Sequence, residues 1–221
     1  MENVLEQIAF CVECGKINLN TPYPPALKGQ LGANEYTLQA LDSGFSPSDI
    51  LSSLIKGMER IGIKFRENKV FIPQVLMSAK AMNESMKYLR KYFIDGSVRH
   101  KGVLILGTVE GDLHDIGKNL VSMIAEGNGY EIIDLGVDVP AEKFIEAITN
   151  HPNAFVGMSA LLTTTTMNME KINREIKRVS PQTVTFVGGA PLNAEFAQKI
   201  GADYYTDKPQ DLVEILNRLT A

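Results

Sequence analysis

The sequence predicts an α/β protein in two parts: a small helical bundle, then a five-stranded, parallel, doubly wound sheet. Three observations carry this. Residues 1–95 repeat apolar side chains at helical spacing and hold no strand pattern. From residue 101 onward, short apolar runs alternate with amphipathic stretches. Five such βα pairs fit into about 120 residues, which implies parallel pairing with helical crossovers. A chain of 221 residues suits two domains, 1–95 and 101–221, when a domain runs to roughly 150 residues.

The elements follow in order. Val4, Ile8 and Cys11 share one face of a first helix. A short helix over 34–41 ends at Asp42-Ser43-Gly44. Ser46 is the N-cap and Pro47 the first residue of a longer helix, with the stripe Ile50, Leu54, Met58, Ile61 and Phe65. Another begins near Pro73 and carries Leu76, Ala79, Met82, Met86, Leu89 and Phe93. These make a small antiparallel bundle. Asp95-Gly96-Ser97 reads as a linker. The strands are then 103–109, 130–135, 154–159, 183–187 and 202–205. The first is apolar enough to be buried on both faces. The helices between and after them are 116–126, 140–149, 167–179, 193–200 and 210–219.

Composition excludes several classes. Hydrophobic residues are 44% and charged residues 22%, the balance of a folded globular chain. Lys plus Arg is 22 against 26 for Asp plus Glu, a net charge of −4, so no nucleic-acid or anionic-membrane partner is expected. No apolar run approaches the roughly 18 residues that span a bilayer. Met1-Glu2-Asn3 lacks the basic start of a signal peptide. Two cysteines make no disulfide framework, so a reducing, cytoplasmic location is expected. Imidazole chemistry has three candidates, His100, His114 and His151.

Open parallel sheets bind ligands at the carboxyl ends of their strands, near the point where strand order reverses. Glu110-Gly111-Asp112-Leu113-His114-Asp115-Ile116-Gly117 follows the first strand, Ser159-Ala160-Leu161-Leu162-Thr163 ends the third, and Gly188-Gly189-Ala190 follows the fourth. Only the first of these loops sets a histidine beside carboxylates. It is not a phosphate loop. Gly111 and Gly117 stand six apart, and Gly117-Lys118 is followed by Asn119 rather than Ser or Thr.

Asp112, His114 and Gly117 spell D-x-H-x-x-G, Ser159 and Leu161 give S-x-L, and Gly188-Gly189 gives G-G. With this order and spacing the chain resembles the cobalamin-binding domain of methionine synthase. It is more closely similar to the corrinoid carrier proteins of methylotrophic methyltransferase systems. The resemblance runs from about Gly44 onward and includes Phe71-Ile72-Pro73-Gln74-Val75 in the helical part. It implies a Rossmann-like or flavodoxin-like cobalamin-binding domain behind a helical cap.

The resemblance further implies that cobalamin binds base-off, with His114 as the metal ligand on cobalt. Asp112 would take the other imidazole N–H, as ligating histidines require. Thr165 would continue the relay where methionine synthases carry Ser. The methyl group would ride as methylcobalamin, leaving Co(I) after its removal. Gly188, Gly189 and Ala190 would leave room for the displaced nucleotide tail, with Ser159 and Thr163 as hydrogen-bonding partners and Tyr205 and Thr206 as lining. Gly117 would let its helix approach the corrin. Gly111, Asp115, Ile116 and Leu161 would complete the binding surface. Phe71, Val75 and Met82 would form an apolar lid, with Gly96 as its hinge.

The function implied is a methyl carrier with no complete active site of its own. Its partners would be a substrate-specific methyltransferase, an acceptor methyltransferase using tetrahydrofolate or a thiol, and a reductive activation protein. Two alternatives stay open: the cobalamin-binding subunit of an adenosylcobalamin-dependent mutase, and a cobalamin sensor. Other features read plainly. Cys11 and Cys14 form C-x-x-C, but Cys11 continues the apolar face of the first helix and suits core packing. Glu110 and Asp115 suit solvated loop carboxylates, and His100 and His151 suit exposed positions.

Overall fold

A computed structural model describes residues 2–94 and 99–220. The expected linker and hinge at Asp95, Gly96 and Ser97 lie outside the described residues. The chain divides into two compact units, Met1–His100 with Glu126–Gly129, and Lys101–Ala125 with Tyr130–Ala221.

The first unit is helical: α1 (Glu2–Cys14), α2 (Ala33–Asp42), α3 (Pro47–Arg66) and α4 (Ile72–Ile94). Ser46 caps α3 by accepting from the Asp49 N–H, and Pro47 opens the helix where no donor is needed. The predicted stripes are buried: Ile8, Cys11 and Val12 on α1, Ile50, Leu54, Met58 and Ile61 on α3, Ala79, Met82 and Leu89 on α4. α1 and α3 approach so closely at Gly57 that a Cβ there would lie 2.5 Å from the Ala9 carbonyl oxygen. Cys11 is core, and burial, with Cys14 and Glu35 nearby, pushes its thiol up to about 12.

The second unit is the doubly wound sheet. Strands β1 (Val103–Thr108), β2 (Glu131–Asp134), β3 (Phe155–Ser159), β4 (Thr185–Gly188) and β5 (Tyr204–Tyr205) are all parallel, in the order β2-β1-β3-β4-β5. Helices α5 (Ile116–Gly127), α6 (Ala141–Asn150), α7 (Thr166–Val179), α8 (Ala194–Ile200) and α9 (Pro209–Leu219) link or follow them. β1 is buried from Leu104 to Thr108, as its apolar run predicts. Gly107 within it admits the Phe144 ring of α6, which would lie 2.6 Å from a Cβ. Chain order reverses across β1, with β2 on one side and β3 on the other. The switch point therefore falls between the loops after β1 and β3.

Candidate functional site: a buried carboxylate holding an exposed histidine

The loop after β1 begins at Val109, whose N–H donates to the Ser159 carbonyl at the end of β3 (3.0 Å). Gly111 then turns with φ +85°, a conformation that suits glycine. The turn drives Asp112 inward, where it is 0% exposed. A buried carboxylate needs donors on both oxygens. Asp112 Oδ2 accepts from the Leu161 N–H (2.8 Å), the Leu162 N–H (3.1 Å) and the Thr165 hydroxyl (2.8 Å). That hydroxyl also lies 2.8 Å from the Leu162 carbonyl, so its one proton is shared between the two.

Oδ1 serves His114. It accepts from the His114 backbone N–H (3.1 Å) and lies 2.7 Å from Nδ1. Burial pushes the Asp112 carboxyl upward, but hydrogen bonds from Leu161, His114 and Thr165 outweigh it and hold the group well below the usual carboxylate range. The group is therefore an anion and only accepts. Nδ1 must carry the ring proton, and the bare nitrogen is Nε2. The His114 side chain is 51% exposed, so Nε2 is offered outward at the switch point.

The loop's backbone is tied down from several elements. The Thr108 hydroxyl of β1 donates to the His114 carbonyl (2.9 Å). Asp138, between β2 and α6, accepts from the Gly111 N–H (2.7 Å), and its own N–H donates to the Asp112 carbonyl (3.0 Å). Asp138 does this at φ +54°, where Asp and Asn are tolerated best among side-chain residues. Asn168 of α7 donates to the Glu110 carbonyl (2.7 Å). Lys118 of α5, nearly buried, meets both Asp134 oxygens at 2.6 Å and Asn119 Oδ1 at 2.9 Å, so its three protons are satisfied.

Around the imidazole the surface is apolar. Leu113, Ile116, Leu161, Leu162 and Met167 are all exposed. Gly117 faces open space, with nothing within 4 Å of a Cβ. The first turn of α5 is thus bare beside His114.

The structure brings together Gly111, Asp112, His114, Asp115, Ile116, Gly117, Leu161 and Thr165 at the switch point. Asp115 is exposed and accepts from the Asn119 side chain (2.9 Å). Ser159 sits at the end of β3, half-buried, and Thr163 is exposed. Gly188 and Gly189 lack side chains for a reason internal to the fold. A Cβ on Gly189 would lie 1.9 Å from the Ala160 carbonyl oxygen, and one on Gly188 would lie 3.2 Å from the Thr206 carbonyl oxygen. This corrects the reading of the pair as purely a ligand slot.

In the helical unit Phe71 is exposed, whereas Val75 and Met82 are buried. Of the three expected lid residues only Phe71 presents surface, because the α4 stripe that carries the others turns inward. His100 is half-buried, not exposed, and stacks on Phe93 with centroids 4.3 Å apart. His151 is half-buried at the end of α6. Sequence reading missed Asp138 and Asn168 as loop clamps. It also missed Gln210, buried in the first turn of α9 with no hydrogen-bond partner for Oε1 or Nε2.

These residues suit a metal-centred macrocycle. One imidazole is offered, held by a carboxylate from behind and flanked by apolar surface that a flat ring system can cover. Among the described residues no group of three or more His, Cys, Asp or Glu side chains is placed to hold a metal ion. A single protein ligand matches a metal whose other positions the cofactor itself fills.

A doubly wound sheet with a carboxylate-anchored histidine at its switch point defines a cofactor-binding module. Comparison with known proteins narrows the class. Residues 102–213 match a B12 binding domain, and residues 30–90 match a second B12 binding domain family. The chain is 37% identical over 186 residues to a trimethylamine corrinoid protein of Methanosarcina barkeri, covering 82% of this chain and 86% of that one. It is 36% identical over 193 residues to a corrinoid protein of Desulfitobacterium hafniense, covering 84% and 88%. Among solved structures it is similar to a chain of the methanol:cobalamin methyltransferase complex of Methanosarcina barkeri. The TM-score is 0.83 at 27% identity, covering 99% of this chain and 80% of that one. The protein belongs to the B12-binding corrinoid protein family. No helix among the described residues is long and apolar enough to cross a membrane.

Proposed function

We propose that this protein carries a methyl group on a bound cobalamin, between a methyltransferase that loads it from a substrate and a second that passes it to tetrahydrofolate or a thiol. The carrying observation is the Asp112–His114 pair at 2.7 Å, with Nε2 bare and exposed. His114 would hold cobalt from below with the cofactor's own lower base displaced. Asp112 fixes the tautomer that leaves Nε2 free, and Thr165 stabilises the Asp112 anion. When bound, cobalamin supplies a cobalt that accepts and gives up a methyl group. Likeness to methylamine corrinoid proteins and to a chain of a methyltransferase complex supports the carrier role. In that role the chain is a protein substrate of its partners and needs no barrel of its own.

The test is paramagnetic resonance of the chain loaded with cob(II)alamin. Protein labelled with ¹⁵N should turn the axial-nitrogen splitting from a triplet into a doublet, because the nitrogen belongs to His114. His114→Ala should remove the change. A triplet that persists in labelled protein would mean that the cofactor keeps its own base on cobalt, and the ligation reading would fail.

A further inference from the structure

Gln210 is buried, and neither Oε1 nor Nε2 has a partner. It lies on α9 with Leu212, Val213 and Leu216, all buried. Its place is at the carboxyl edge of the sheet. β5 ends at Tyr205 opposite Val187 of β4, and Thr206 donates its N–H to the Val187 carbonyl (3.0 Å). Thr206 stands beside Gly188, and α9 begins at Pro209. The carboxamide therefore sits next to the glycine pair, on the edge that carries His114. Native chains rarely leave a buried amide wholly unpaired, because each unmet atom forfeits its hydration without return. The unmet donor and acceptor point to a ligand group that supplies both.

We propose that Gln210 reads the outer edge of the lower base of a bound corrinoid, and that the chain favours a corrinoid whose lower base is a purine. This rests on the reading above, in which the cofactor occupies this sheet edge with its lower base displaced. A carboxamide presents one acceptor and one donor side by side. Adenine offers the complementary pair, N6–H and N7, and Gln meets it with two hydrogen bonds. Dimethylbenzimidazole turns methyl groups outward at the same end and would leave both amide atoms unpaired. A site built for hydrogen bonding discriminates strongly against an analogue that lacks the group.

The experiment is equilibrium binding of the full chain to three probes, read by absorbance. They are the adenine-bearing analogue pseudocobalamin, hydroxocobalamin, and cobinamide, which has no lower base. The wild type should favour pseudocobalamin over hydroxocobalamin by about tenfold, the worth of one bidentate pair. Gln210→Leu should bring the two to parity and leave cobinamide affinity unchanged. Gln210→Met should do the same, should Leu crowd the site. The cofactor-free melting midpoint of either variant should hold or rise, since no polar atom is then left unpaired. Equal affinity of the wild type for pseudocobalamin and hydroxocobalamin would overturn the proposal. So would a preference that survives both substitutions, or a uniform loss for all three probes with a lower midpoint, the mark of a structural amide. Failure of the wild type to bind any of the three would overturn the corrinoid reading itself. Tight binding of all three without preference would overturn only the role of Gln210.

Discussion

Asp112→Asn isolates what the buried charge does, because it keeps shape and removes the anion. Five donor contacts converge on the carboxylate, three on Oδ2 and two on Oδ1. An amide keeps one oxygen, and the three donors at Oδ2 hold it there. The NH2 group then faces His114. The His114 backbone N–H loses its acceptor, and Nδ1 is forced to accept instead of donate. The ring proton moves to Nε2, the nitrogen that must be bare to bind a metal.

The magnitude follows from the same contacts. Each of the three retained bonds loses about 1 kcal/mol when its acceptor becomes neutral, and the orphaned N–H adds about 1 kcal/mol more. Relief of a desolvated carboxylate works the other way. A net loss of about 3 kcal/mol in unfolding free energy is expected, with a 10- to 100-fold loss of corrinoid affinity, as is typical for a partner behind a ligating histidine at about that remove. Urea unfolding of the cofactor-free chain and absorbance titration with hydroxocobalamin measure the two. The pH dependence has a definite sign. Burial raises the Asp112 carboxyl but the hydrogen bonds depress it further. Its stabilisation is then complete above the unfolded pKa of about 3.9 and fades only as pH falls from there toward the lower folded value. The gap between wild type and variant should be flat from neutral pH to about 5 and should narrow below about 4. Unchanged affinity in the variant, or a gap that shrinks between pH 7 and 5, would refute the argument.

Gly189→Ala places a Cβ 1.9 Å from the Ala160 carbonyl oxygen at φ +141°, so a loss of about 3 kcal/mol is expected, seen as a melting midpoint lower by about 10 °C. Gly117→Ala meets nothing within 4 Å. It should raise cofactor-free stability by about 0.5–1 kcal/mol through helix propensity while weakening corrinoid binding, since the methyl group occupies the bare face beside His114. Asp138→Ala removes the acceptor for the Gly111 N–H and keeps the left-handed backbone. It should cost about 2 kcal/mol in urea unfolding, and Asp138→Asn, which tolerates that backbone and retains an oxygen, should restore most of it.

The parts of this site that sequence could show are those whose cause is local. The apolar run of β1 states its own burial. Asp112 and His114 are two residues apart, so a turn at Gly111 is enough to join them. The clamps are different in kind. Asp138 reaches Gly111 across 27 residues and Asn168 reaches Glu110 across 58. Both meetings exist only once strand order is fixed, and neither side chain differs in sequence from an ordinary loop or helix polar residue. Gln210 is hidden for the same reason. At the start of a helix it reads as surface, and only packing of α9 buries it. The α4 stripe shows the converse ambiguity. Apolar spacing at Val75 and Met82 is the same whether a face meets its own bundle or a ligand, and burial decides for the bundle. Gly189 likewise looks like room made for a ligand until the Ala160 carbonyl is seen against it.

Once these long-range ties are counted, little of the histidine loop is left free. Gly111, Asp112 and the His114 carbonyl are fixed by the β2–α6 loop, the β3–α7 loop and β1 in turn. The imidazole ring is the one part that projects outward, held at a single nitrogen. A carrier that binds and releases an axial ligand through each transfer then needs to move one side chain and no backbone. The cost of that motion is set by a single Nδ1–H to carboxylate bond, which Asp112 can strengthen or relax without disturbing the loop around it.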